Sequence, residues 1–275
     1  MKGPIMADVN AINPAELNSR LADDNLLLLQ VTSAETFLQA HIPGAICVTP
    51  RELVCGVPPA TGRLPELDQL TALFQRIGYH PESQVVVYDD EGGGWAGRMG
   101  WTLDVIGHRQ WDYLDGGLHS WAAAGLPLDQ GEGQAPTPNT ALSLNIDVQP
   151  IAEIEDVLAT IDDPDQLVWD VRSREEYLGQ KQASARLGHI PGAVHYDWLL
   201  LKDAQQNLNQ AAHAKLAELG LGEDKAIITH CQTHHRSGLS YMWGRLQGWN
   251  IRAYHGSWAE WGNRQDTPIH NPSAG

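Results

Sequence analysis

At 275 residues, with 42% hydrophobic and 19% charged residues, the chain has an ordinary globular composition and enough length for two domains that each bury a core. Its formal net charge of -16 excludes a general nucleic-acid or anionic-membrane surface, and no apolar run approaches the roughly 18 residues that span a bilayer. Three cysteines, Cys47, Cys55 and Cys231, are too sparse for a disulfide framework, so reduced thiols are expected. The first ten residues, with one Lys and no apolar stretch, do not read as a secretory signal, and a cytoplasmic location is expected.

In chain order, an apolar run at 26–31 predicts a buried strand, and His41-Ile42-Pro43-Gly44-Ala45 follows it. A second buried strand is predicted at 85–88. It runs through Asp89-Asp90-Glu91-Gly92-Gly93-Gly94-Trp95 into a helix on which Met99, Leu103 and Ile106 recur at three- and four-residue spacing, with Gly107 at its end. Asp115-Gly116-Gly117 to Trp121 closes this half. The stretch 126–150, rich in Gly, Pro, Gln and Asn, has little periodicity. It places a linker at 129–148 between an N-terminal domain at 1–128 and a C-terminal domain at 149–275.

The second half repeats the first. A strand is predicted at 167–171, and His189-Ile190-Pro191-Gly192-Ala193 repeats the earlier five residues. A strand at 226–229 then leads through a loop to a helix marked by Leu239, Met242, Trp243 and Leu246 and ended by Gly248. His255-Gly256-Ser257 to Trp261 closes the unit. Recurring strand, loop, helix and strand predict an α/β fold of two tandem domains, each a parallel sheet flanked by helices.

The chemistry is concentrated in His230-Cys231-Gln232-Thr233-His234-His235-Arg236-Ser237-Gly238, between the buried strand and the helix. A loop at the carboxyl end of a parallel strand, feeding a helix N-terminus, turns backbone N–H groups inward and favours negative charge. A cysteine at its first position has its thiolate favoured by those amides and by Arg236. Cys47 and Cys55 read instead as small buried hydrophobes. His230, Cys231, His234 and His235 are all possible zinc ligands, but no second Cys or His pair has ligand spacing, so no metal is expected.

Cys-x-x-x-x-Arg after a strand, the repeated His-Ile-Pro-Gly-Ala, and the closing Gly256-Ser257-Trp258 with Trp261 together resemble the rhodanese family over nearly the whole chain. The loop 231–236 looks like that of the family's two-domain thiosulfate:cyanide sulfurtransferases, whereas mercaptopyruvate sulfurtransferases tend to have a short Gly- and Ser-rich loop. The resemblance implies that Cys231 takes the outer sulfur of thiosulfate, releases sulfite and passes the sulfur to cyanide, a small thiol or a protein acceptor. It implies no cofactor and an inactive N-terminal domain. Counted from each strand, Asp90 falls where Cys231 falls.

A dianion approaching an anionic nucleophile needs local positive charge, which Arg236, His234, His235 and Arg172 are expected to supply. Gln232 and Thr233 complete the expected substrate-binding set. Arg172 has a structural alternative, an ion pair with Asp170 or Glu176. Phosphatases and arsenate reductases on a related scaffold use a loop one residue longer, Cys-x5-Arg, and the loop length here separates them. A non-catalytic docking module is the third reading, against which the intact Cys and basic loop count.

Overall fold

The computed structural model describes residues 9–133 and 135–274, so most of the segment read above for targeting lies outside the described residues. Runs rich in Leu, Val and Ile bounded by turn residues form the strands β1 Val9–Ile12, β2 Leu26–Val31, β3 Ile46–Val48, β4 Gln84–Tyr88 and β5 Trp111–Leu114. The second half supplies β6 Ile151–Ala152, β7 Gln166–Asp170, β8 Val194–His195, β9 Ala226–His230 and β10 Asn250–Tyr254. Between them lie α1 Pro14–Arg20, α2 Ala34–Gln39, α3 Leu67–Arg76, α4 Gly94–Val105 and α5 Gly117–Ala123, then α6 Ile154–Thr160, α7 Arg174–Tyr177, α8 Ala212–Glu218, α9 Arg236–Leu246 and α10 Ser257–Trp261.

Each half is a five-stranded parallel sheet, in the orders β1-β5-β4-β2-β3 and β6-β10-β9-β7-β8. The tandem α/β architecture is as the sequence predicts. The repeated five-residue element has the same local job in both copies. His41 Nδ1 lies 2.9 Å from Phe37 O with its ring stacked on Phe37, and His189 Nδ1 lies 2.7 Å from Tyr177 O with its ring stacked on Tyr177.

The halves are joined through α4 and α9, which are buried along nearly their whole length. They cross backbone to backbone, because a Cβ on Gly97 would overlap the Gly238 carbonyl and a Cβ on Gly238 would overlap that of Gly94. Further along, Asp104 on α4 accepts from Arg245, from the Tyr241 hydroxyl at 2.7 Å and from Trp111 Nε1 at 3.2 Å. One hydrophobic cluster therefore runs through both sheets, including Trp101, Trp111, Trp169 and Trp243. Among its described residues, 126–150 carries only an isolated bridge at Asp129. It is strapped to the first half, with Asp147 N–H on Val105 O at 2.7 Å and Asn139 N–H on Gln75 O at 2.9 Å. Among the described residues no helix is long and apolar enough to cross a membrane.

Candidate active site

Cys231 is the first residue after β9, five positions before α9 begins, and it is 1% exposed. The closing motif fixes this corner: Trp258 N–H donates to Cys231 O at 3.0 Å, Ala259 N–H to Gln232 O at 2.9 Å, and the Ser257 hydroxyl receives Cys231 N–H at 3.4 Å. Burial by itself pushes the Cys231 thiol up. Arg236, the hydroxyl and amide of Ser237 and the neighbouring His235 outweigh it and hold the thiol below its ordinary value. Ser237 Oγ lies 3.5 Å from Cys231 Sγ. The sequence reading missed Ser237 as a sulfur contact, although its place on the first turn of the helix was the available signal.

The other expected site residues divide by their partners. Arg236 donates through Nη1 and Nη2 to the two oxygens of Glu176 at 2.7 and 3.0 Å, so its charge is partly compensated before any substrate arrives. Glu176 was also missed as a site residue. It is held by the Ser173 capping box at the start of α7, and burial, which raises its carboxyl, is overcome by Arg236.

His234 does not bring the expected positive charge. Its ring is fully buried, and burial, reinforced by Arg98, His255 and His235, holds it well below the usual histidine range. His235, close enough to act on the Cys231 thiol, is also engaged by the first half, where Nε2 meets Glu91 Oε1 and the ring stacks on Trp95 at 4.3 Å. Arg172 adopts its structural alternative. Its side chain is 1% exposed, bonded to Asp170 through Nε and Nη2 and to Gly188 O, and lies over the Trp258 ring at 4.2 Å. Gln232 turns its amide to Ala183 O and Ser184 Oγ at 2.9 and 3.1 Å. The Thr233 carbonyl lies so close under Gly62 of the first half that a Cβ there would overlap it. Cys47 and Cys55 are half-buried rather than core residues, and burial together with Glu52 pushes the Cys47 thiol up to about 11. Among the described residues no group of three or more His, Cys, Asp and Glu could hold a metal ion.

The first half contributes directly to this site. Its segment before α3 packs over the active loop, with Arg63 bonded to Glu153 and Glu260 and Leu64 N–H on His255 Nδ1 at 3.0 Å. Arg98 on α4 holds that segment from below through Gly62 O and Leu53 O.

The first half also has its own strand-to-helix loop, and the register corrects which residue matches Cys231. Tyr88 at the end of β4 pairs with Gln30 as His230 at the end of β9 pairs with Asp170, so Asp89 rather than Asp90 is the equivalent. Leu118 N–H donates to Asp89 O at 3.0 Å, just as Trp258 N–H does to Cys231 O. The one-residue error arose because both acids follow the strand without a break in polarity. The Asp89 carboxylate accepts the amides of Glu91, Gly92, Gly93 and Ala96 at 2.9 to 3.2 Å.

Known proteins place these features. The rhodanese-like domain family matches residues 13–124 and again 153–264. The chain is 44% identical to a thiosulfate sulfurtransferase of Azotobacter vinelandii over 262 residues, covering 94% of this chain and 96% of that one. A thiosulfate sulfurtransferase of Pseudomonas aeruginosa is likewise 44% identical over the same shares. A 3-mercaptopyruvate sulfurtransferase of Escherichia coli is 26% identical over 86% of this chain and 85% of its own. Among solved structures, the anaerobic ergothioneine biosynthesis enzyme of Chlorobium limicola has the same fold, with a TM-score of 0.87 at 19% identity over 95% of this chain and 70% of that one. With two such domains covering most of its length and a cysteine at the strand-to-helix corner of the second, the chain belongs to the rhodanese family.

Proposed function

We propose that this protein is a thiosulfate sulfurtransferase that carries sulfane sulfur as a persulfide on Cys231. The observation that carries the reading is the buried Cys231 thiol at the end of β9, held below its ordinary value by Arg236 and Ser237. The 44% identity to two thiosulfate sulfurtransferases over 94% of the chain supports the choice of donor.

The Cys231 thiolate attacks the outer sulfur of thiosulfate. A sulfur–sulfur bond forms to Cys231 as the bond to the sulfonate sulfur breaks, and sulfite leaves with the electron pair. Charge is conserved, because a thiolate and a dianion become a persulfide anion and a sulfite dianion, and no proton transfer is needed. Cyanide or a thiolate then takes the outer sulfur and regenerates the Cys231 thiolate. Arg236 offsets the repulsion between the two anions, and its Glu176 partner fixes the direction of the guanidinium fork. Trp95 and Trp101 form an aromatic wall from the first half beside the loop, which limits water around the persulfide. The first half, with a carboxylate in place of the thiol, carries no sulfur.

The test is the mass of the protein before and after thiosulfate. A gain of about 32 Da, one sulfur atom, that disappears with cyanide and is absent from Cys231→Ala is the expected result. Unchanged mass together with hydrolysis of an aryl phosphate would replace this reading with a phosphatase.

A further inference from the structure

His234 is the most constrained residue of the active loop. Its φ of 55° lies in the left-handed region, a conformation that a non-glycine residue keeps only where its surroundings hold it. What holds it is the first half: Trp101 on α4 meets the buried ring edge to face at 4.6 Å, and Arg98 lies over the Trp101 ring at 4.5 Å. His234 Nδ1 is 2.8 Å from Ser237 Oγ, and Ser237 Oγ is 3.5 Å from Cys231 Sγ. Nε2 has no partner among the described residues.

Proton counting assigns a direction to this chain. A serine hydroxyl has one hydrogen, and a thiolate or persulfide anion can only accept. If the hydroxyl serves the sulfur, its hydrogen points there, and its lone pair must take a hydrogen from His234 Nδ1. The tautomer is then Nδ1–H with a bare Nε2, whereas the opposite tautomer would draw the hydroxyl away from sulfur. We propose that His234 is a positioning residue whose Nδ1–H holds the Ser237 hydroxyl in donation to Cys231, with Trp101 transmitting the rigidity of the first half to that chain. His234 acts through Ser237 and does not touch the transferred sulfur. The groups facing it are Arg98 from α4, His255 from the turn before α10 and His235 beside it, while Cys231 faces Arg236, His235 and Ser237 from its own loop and helix and Arg98 from α4. The inference rests on the reading of Cys231 as the sulfur carrier.

Two substitutions separate the ring from the backbone, since glycine and asparagine both accept the left-handed conformation. The Asn Nδ2–H stands at the same point along the side chain as the His Nδ1–H. The readouts are Cys231 thiolate formation and sulfite release, each against pH. His234→Gly is expected to move thiolate formation to higher pH and to lower sulfite release at neutral pH about tenfold, and His234→Asn to recover most of that loss. Ser237→Ala is expected to give the same upward move, with His234→Gly adding nothing further in that background. An unchanged pH profile in His234→Gly, or an equal further loss on top of Ser237→Ala, overturns the proposal. If His234→Gly does not fold, Ser237→Ala and the His234→Asn/Ser237→Ala pair decide, because they must then have the same profile. Should wild-type Cys231 take no sulfur from thiosulfate while its thiolate titration still responds to His234, the functional reading fails and the positioning role stands.

Discussion

The loops 89–94 and 231–236 leave equivalent strands at equivalent corners of the two halves and enter helices that cross each other. In the first half the side chain at the corner is a carboxyl group, and the amides of Glu91, Gly92 and Gly93 in its loop and of Ala96 in α4 close on it. In the second half it is a thiol, which cannot satisfy amides so well and instead is acidified by Arg236 and Ser237. The same backbone geometry thus closes on its own buried carboxyl in the first half, where burial and Glu91 raise Asp89 despite those amides, and in the second presents a thiol held below its ordinary value, the corner proposed to carry sulfur. The first half is not an idle duplicate, because Trp95, Trp101, Glu91 and Gly62 all press on the active loop.

The sharpest way to break this comparison is to remove each corner side chain in turn. Cys231→Ala should abolish sulfur loading while leaving thermal stability nearly unchanged. Asp89→Ala should do the reverse, costing about 3 kcal/mol because buried amides lose their acceptor, with residual loading in the folded fraction. Calorimetry and mass measurement on both variants check this, and equal effects on both quantities would refute the division of labour.

Next in size is the charge at the reactive corner. Arg236→Ala should lower kcat/KM for thiosulfate about a hundredfold, and Arg236→Lys should restore only part of it, because a point charge cannot engage both oxygens of Glu176. Steady-state kinetics with thiosulfate and cyanide measure the ratio, and full activity in Arg236→Ala would remove its role.

Two pH effects follow. Because the Cys231 thiol lies below its ordinary 9.0, loading should reach its plateau at lower pH than a free cysteine and then fall roughly tenfold per unit on further acidification. Stability should respond at more acid pH. Burial raises the carboxyls of Asp170 and Glu176, but Arg172 and His230 at the first and Arg236 at the second hold both below their ordinary 3.8 and 4.5. The unfolded chain therefore binds protons first as pH falls, so the stability these pairs contribute is present above about pH 4.5 and lost below it. Acid unfolding monitored in wild type and Glu176→Gln checks the sign, since the variant should have a shallower loss. The smallest effect is expected at Cys47→Ala and Cys55→Ala, which should leave loading at Cys231 intact.

Patterns confined to a few adjacent residues were readable without the fold. Apolar runs at β2, β4, β7 and β9 define parallel strands, the repeated His-Ile-Pro-Gly-Ala gives the duplication, and a cysteine directly after β9 and before α9 lies where such sheets bind anions. Pairing was not readable in this way. Whether Asp89 or Asp90 matches Cys231 depends on strand register, which two consecutive acids do not reveal. That Arg236 and His235 meet Glu176 and Glu91, 60 and 144 positions away and the second in the other half, was not legible, whereas the Arg172–Asp170 pair, two positions apart, stood in the sequence as one of two alternatives. Whether His234 is a cation or an enclosed neutral ring depends on Trp101 and Arg98 closing over it. A side chain's type is local, but its charge and its hydrogen-bond direction are set by desolvation and by partners that only the packed tertiary structure brings within reach.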